Sequence, residues 1–293
     1  MVLALLLLLA AGGALYVNTY SRATPEADRV ASRAIIRDGN LLFPAENAEE
    51  GIILYPGGKV DEKAYAPLAR ALNKKGYYVV IARMPLRLAI LDSGRAKRIM
   101  DELPDIQDWY LVGHSLGGTS ASMFVKRHPD RIAGIVFLAS YPYPDLSGWQ
   151  GKSLTILGSN DQVLSRDKME AASYPQDAAS ITIQGGNHAG FGDYGAQKGD
   201  GPTDISGSEQ MKKTADAIEK FIQQPKNTAN RRNDVGFFNA PMESSEREQF
   251  AKQRKPGWRG LRLSAMIARE KMRIELFFVF PCNPNLLVIQ YYI

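Results

Sequence analysis

Between Ala34 and Gln223, short apolar runs alternate with stretches whose apolar residues recur at helical spacing. The apolar runs predict strands at Ala34–Arg37, Gly51–Tyr55, Tyr77–Arg83, Trp109–Gly113, Ile132–Ser140, Leu154–Gly158 and Ile181–Gln184. Helices are expected at Asp61–Lys75, Asp92–Leu103, Leu116–Arg127, Arg166–Ala172 and Ser206–Gln223. Strands that read as unbroken apolar runs are buried on both faces. Their alternation with amphipathic helices therefore predicts an α/β fold, a mostly parallel sheet with helices on both sides. The last helix is the best defined. Ser206 and Glu209 have the spacing of a capping box, and Met211, Ala215, Ile218 and Ile222 fall on one face. About a dozen residues separate Ser140 from Leu154, which leaves room for a simple connection and none for a helical lid. An open site is expected.

The flanks break this rhythm. Val2 to Val17 is apolar throughout, with five leucines from Leu5 to Leu9. The run is slightly shorter than the roughly 20 residues that cross a bilayer. No Lys or Arg precedes it, and no clean Ala-x-Ala site follows, as a secretory signal would have. The expectation is a hydrophobic signal or membrane anchor over residues 1–20, making the protein membrane-anchored or secreted on the extracytoplasmic side. A buried leucine-rich helix is the competing reading. Residues 21–33 read as a linker or short helix, and 34–224 as one α/β domain. After Gln224 the periodicity stops, and residues 225–293 are expected to form a basic, poorly ordered extension.

Charge changes the picture only locally. The formal net charge is +5, but residues 226–293 carry 12 Lys and Arg against 6 Asp and Glu. The rest of the chain is close to neutral, which argues against a nucleic-acid partner for the domain. Cys282 is the single cysteine, so no intrachain disulfide can form. The histidines His114, His128 and His188 lack the close pairing of a zinc site, and no metal or other cofactor is expected.

The chemistry gathers around Gly113-His114-Ser115-Leu116-Gly117, with an apolar strand before it and a helix after it. Gly-x-Ser-x-Gly in that setting is a nucleophile elbow, a turn so sharp that small residues must flank the serine. A serine hydroxyl needs a base, and the base needs an orienting acid. His188 follows the last strand, at the sheet edge where site residues gather. Asp161 follows the strand ending at Gly158, while Asp193 and Asp200 are rivals that lie beyond His188. The chain order Ser115, Asp161, His188 suits an elbow on a parallel sheet. The oxyanion hole is expected to use the Leu116 N–H and one from Tyr55-Pro56-Gly57-Gly58-Lys59, with Gly58 first and Lys59 next. That loop lacks the spacing of a phosphate loop.

Taken together, the segments Tyr55–Val60, Gly113–Gly118, Ser140–Pro142, Gly158–Asp161 and Asn187–Gly195 resemble the α/β-hydrolase superfamily, close to its compact dienelactone-hydrolase-like branch. The likeness covers roughly residues 34–223. It implies a serine hydrolase that cleaves a small-molecule ester or thioester without a cofactor. Dienelactone hydrolases proper carry cysteine where this chain has Ser115, and many relatives have histidine where Pro56 stands. Two alternatives use the same residues or the same fold: acyl transfer to an acceptor other than water, and a membrane-tethered binding protein without turnover.

Overall fold

The computed structural model describes residues 19–224 and the pair Gly12 and Gly13. The expected extension 225–293 and nearly all of the hydrophobic stretch 1–20 lie outside the described residues. Among the described residues, no helix is long and apolar enough to cross a membrane.

Eight strands form one sheet: β1 (Ile35–Arg37), β2 (Asn40–Phe43), β3 (Glu50–Tyr55), β4 (Tyr78–Ile81), β5 (Asp108–His114), β6 (Gly134–Leu138), β7 (Lys152–Gly158) and β8 (Asp177–Ile183). Their order is β1-β2-β4-β3-β5-β6-β7-β8. Only β1 and β2 run antiparallel to their neighbours. The helices are α1 (Pro25–Ala31), α2 (Ala66–Asn73), α3 (Arg95–Asp101), α4 (Leu116–Arg127), α5 (Arg166–Glu170) and α6 (Gly207–Gln223).

Alternation along the central strands splits the core in two, because successive side chains leave a strand on opposite faces. Ile52, Leu54, Val112, Val136 and Ile156 pack with Leu68, Leu72 and Ile218. Ile53, Tyr55, Leu111, Ile135 and Phe137 pack with Ile99, Phe124 and Val125 on the other side. The helix stripe of α6 is buried as its spacing required, and Ser206 Oγ accepts the Glu209 N–H at 3.1 Å. The capping box is only half closed, since the Glu209 carboxylate turns away to Lys213.

Four elements differ from the expected pattern, one of them β8, which starts at Asp177, four residues before the expected Ile181. β2 was not expected; it follows Asp38-Gly39, both in the left-handed region, a turn pair that commonly closes hairpins. The stretch Asp61–Lys75 is not one helix but a 3-10 turn, Glu62–Tyr65, followed by α2. Pro67 explains the break, because it lacks the N–H an uninterrupted helix needs and is tolerated only in a first turn. The stretch from Asp92 yields helix only from Arg95, after 3-10 turns at Pro85–Arg87 and Ala89–Asp92. The connection from β6 to β7 contains no helix.

Candidate active site

The hydrogen-bonding register of β5 delivers Ser115 to the carboxyl edge of the sheet. Ser115 has φ 51° and ψ −123°, costly for a residue with a side chain, and it immediately precedes α4. Two contacts hold it there. Its N–H donates to the Leu138 carbonyl at 3.0 Å, and its own carbonyl accepts the Ser140 hydroxyl at 2.6 Å. The flanking glycines are required by close backbone approach. A Cβ on Gly113 would lie 2.3 Å from Gly118 Cα, and one on Gly117 would lie 2.2 Å from the Tyr55 carbonyl oxygen. The elbow is therefore wedged between β3 and its own helix.

His188 and Asp161 arrive on neighbouring loops that are stitched together. Asn160 N–H donates to the Gly186 carbonyl at 2.8 Å, and Gly185 N–H to Ser159 Oγ at 2.8 Å. His188 Nδ1 then lies 2.9 Å from Asp161 Oδ2. The other carboxylate oxygen accepts the N–H groups of Val163 and Leu164 at 2.8 and 2.9 Å. Burial by itself raises the Asp161 pKa, but His188 and the two backbone donors outweigh it and hold the carboxyl below its ordinary value. The acid is kept ionised, which suits it to fix the Nδ1–H tautomer of His188. The rivals are engaged elsewhere: Asp193 accepts from Thr24 Oγ, and Asp200 from the Ala189 and Gly201 N–H groups. The His188 ring lies 4.7 Å, centroid to centroid, from that of His114, the residue directly before Ser115. Among the described residues the Ser115 hydroxyl has no hydrogen-bond partner.

The loop after β3 is adjacent to the elbow because β3 pairs with β5. A Cβ on Gly58 would lie 3.1 Å from Leu116 Cδ2. Among the described residues the Gly58 and Leu116 N–H groups have no hydrogen-bond acceptor, and Leu116 opens a helix of 12 residues whose positive dipole end faces the serine. Lys59 is a correction. Its N–H donates to the Arg87 carbonyl at 2.9 Å, so it cannot serve an oxyanion in this arrangement.

Residues that pattern reading passed over support this site. Gly57 N–H donates to Tyr65 Oη at 2.8 Å, and Tyr65 Oη lies 2.7 Å from His114 Nδ1. The Tyr65 hydroxyl thus bridges Gly57 and His114, while His114 Nε2 is buried without a hydrogen-bond partner among the described residues. That nitrogen faces the His188 backbone without reaching hydrogen-bond geometry. Burial, then the neighbouring His188, pushes the His114 pKa well below the ordinary value. Gln210, fully buried on α6, accepts the Asn187 N–H at 3.0 Å and donates to the Asn187 carbonyl at 2.8 Å. It thereby locks the residue before His188 onto the helix. The one available signal was polar residues on the apolar stripe, Gln210 and Thr214, four apart.

A model of the alpha/beta hydrolase family matches residues 51–212. Among curated proteins, a pimeloyl-(acyl-carrier protein) methyl ester esterase of Citrobacter koseri is 37% identical over 73 residues, 25% of this chain and 28% of that protein. The protein of the same description from Salmonella heidelberg is 38% identical over 71 residues, 24% of this chain and 27% of its own. The match thus spans little more than a quarter of these relatives. Among solved structures, Est1E from Butyrivibrio proteoclasticus is 15% identical with a TM-score of 0.48, covering 64% of this chain and 96% of its own. A monoacylglycerol lipase of Paleococcus ferrophilus is 14% identical with a TM-score of 0.47, covering 62% and 98%.

Proposed function

We propose that this chain, which belongs to the alpha/beta hydrolase family, is a serine hydrolase that cleaves a carboxylic ester or thioester through an acyl-enzyme. The observation that carries the reading is the combination of a left-handed Ser115 at a helix start with a hydrogen-bonded His188–Asp161 pair. Ser115 Oγ attacks the acyl carbon while His188 Nε2 takes its proton. Asp161 holds the opposite ring nitrogen and stabilises the imidazolium. The Leu116 and Gly58 N–H groups receive the charge that develops on the acyl oxygen. Collapse of the tetrahedral intermediate expels the alcohol or thiol, which His188 protonates. Water then attacks the acyl-enzyme, with His188 again as base, and the acid leaves with Ser115 restored.

The names of the curated relatives, methyl ester esterases, support an ester substrate, and a β6–β7 connection without a helix is compatible with a small or exposed acyl group. We further propose that Val2–Val17 holds the protein at a membrane. A fluorophosphonate probe tests the chemistry. Wild-type protein is expected to label. Ser115→Ala abolishes labelling, and His188→Ala weakens it, with ester turnover falling about 10⁴-fold or more. Folded wild-type protein that neither labels nor turns over an ester panel overturns the reading in favour of a non-catalytic binding role.

A further inference from the structure

The large apolar side chains that remain exposed are not scattered. Leu86, Ile90 and Leu91 follow β4, Tyr143 follows β6, and Val163 follows β7. These three strands run parallel to β5, directly or through β3, so all five residues stand on loops at the edge that carries Ser115. The other exposed pair among the described residues, Ile35 and Ile36, sits on β1 at the far margin of the sheet. One of the loops touches the site itself, where Val163 N–H donates to Asp161, and another reaches the helix after Ser115, where Tyr143 N–H donates to Ser122 Oγ on α4. The loop after β4 holds Leu86 and Arg87 at φ 51° and 57°. Two successive left-handed residues with side chains are costly, yet here they display a leucine to water.

The chain also enters the domain at this edge. Ser21 N–H donates to the Lys59 carbonyl at 2.8 Å, and the Ser21 carbonyl accepts the Asp61 N–H at 2.9 Å. Lys59 Nζ donates to Thr19 Oγ at 2.8 Å. The Arg87 guanidinium lies 3.5 Å above the Tyr20 ring, and that of Arg22 lies 5.0 Å from it. Since Lys59 N–H also reaches the Arg87 carbonyl, the entering chain, the oxyanion loop and the Leu86 loop form one hydrogen-bonded unit. The apolar run Val2–Val17 precedes this junction directly. Were that run held in a bilayer, the Ser21 junction would tie this edge to the membrane surface, where the exposed Arg22 suits anionic headgroups.

From these observations we propose that the mouth of the active site faces a lipid bilayer. Leu86, Ile90, Leu91 and Tyr143 rest in its surface, and the substrate is an ester or thioester held in the membrane. The inference rests on the hydrolase reading for the substrate but not for the orientation. The test uses the full chain with Cys282→Ser and one new cysteine, Ile90→Cys, Tyr143→Cys or Asp105→Cys. Each carries a nitrobenzoxadiazole label and is reconstituted with phosphatidylcholine–phosphatidylglycerol vesicles. Asp105 is exposed on the loop before β5, at the opposite edge. The expected result is a blue shift at positions 90 and 143 and none at 105. Equal spectra at all three positions, or a chain that fails to float with the vesicles, overturn the proposal. In the triple variant Leu86→Ser, Ile90→Ser, Leu91→Ser, the ratio of turnover on a bilayer-held long-chain ester to turnover on a soluble short-chain ester falls about tenfold. An unchanged ratio overturns the proposal, and Ile90→Ser alone supplies the same ratio if the triple variant fails to fold. Wild-type protein inactive on both esters overturns the hydrolase reading, while the label spectra still decide the orientation.

Discussion

Tyr65 shows how much a single buried hydroxyl can organise. It accepts from Gly57 and is hydrogen-bonded to His114, so one side chain joins the loop beside the elbow to the residue before Ser115. Replacing it by phenylalanine keeps the ring but strands the Gly57 N–H, and a buried unpaired donor costs about 1–3 kcal/mol. Tyr65→Phe is therefore expected to lower the urea midpoint of unfolding at unchanged slope, which equilibrium denaturation would show directly. Nothing in the neighbourhood of Tyr65 in the sequence announced this role, since its partners lie 8 and 49 residues away. Lys59 is the opposite case. Its place in a glycine-rich loop made it a candidate donor, and only the folded contact with Arg87 shows its N–H to be occupied.

At the scale of elements, the elbow is the tightest joint in the molecule. β3, β5 and α4 meet where Gly117 presses on the Tyr55 carbonyl, and both sides of that contact are backbone. Neither a paired strand nor the start of a helix can withdraw by the distance a methyl group requires. Gly117→Ala is accordingly expected to destabilise the fold by about 1–3 kcal/mol or more, a fall in Tm of several degrees by calorimetry. A melting temperature equal to wild type would show that the joint has slack. The elbow was legible beforehand because its demands are local: five residues, a strand before and a helix after. The division of the Asp61–Lys75 stretch was also within reach, since Pro67 marks the point where an α-helix must begin.

For the whole molecule, stability should depend on pH through groups that folding perturbs. His114 is buried, with its pKa pushed down, so below about pH 6.5 the unfolded chain binds a proton that the folded chain refuses. Stability is then complete above that pH and declines as the pH falls. Asp161 is held below the usual carboxylate range, so the stability it contributes is present above about pH 4 and is lost as the pH falls through its lower folded value. The two windows are separable. His114→Gln is expected to flatten the stability profile between about pH 5 and 6.5. Urea midpoints measured across that range for variant and wild type test this, and parallel curves would remove His114 from the account.

The sequence by itself determined the fold class and the place of the sharp strand-to-helix turn at Ser115, because both rest on short-range rules. Apolar runs such as Ile52–Tyr55 must be buried on both faces, and a strand turning into a helix at Gly-x-Ser-x-Gly permits few geometries. The same logic ordered Asp161 before His188 on successive carboxyl-edge loops. Tertiary structure alone decided that the Lys59 N–H is occupied, that His114 is buried against His188, and that Gln210 on α6 grips Asn187. It also gathered exposed leucine, isoleucine, tyrosine and valine from three loops onto one edge of the sheet. The reason is the range of the interactions. Periodicity and turn chemistry act over a few residues, whereas a hydrogen bond or a surface patch joins whatever the parallel sheet brings side by side, however far apart in the chain.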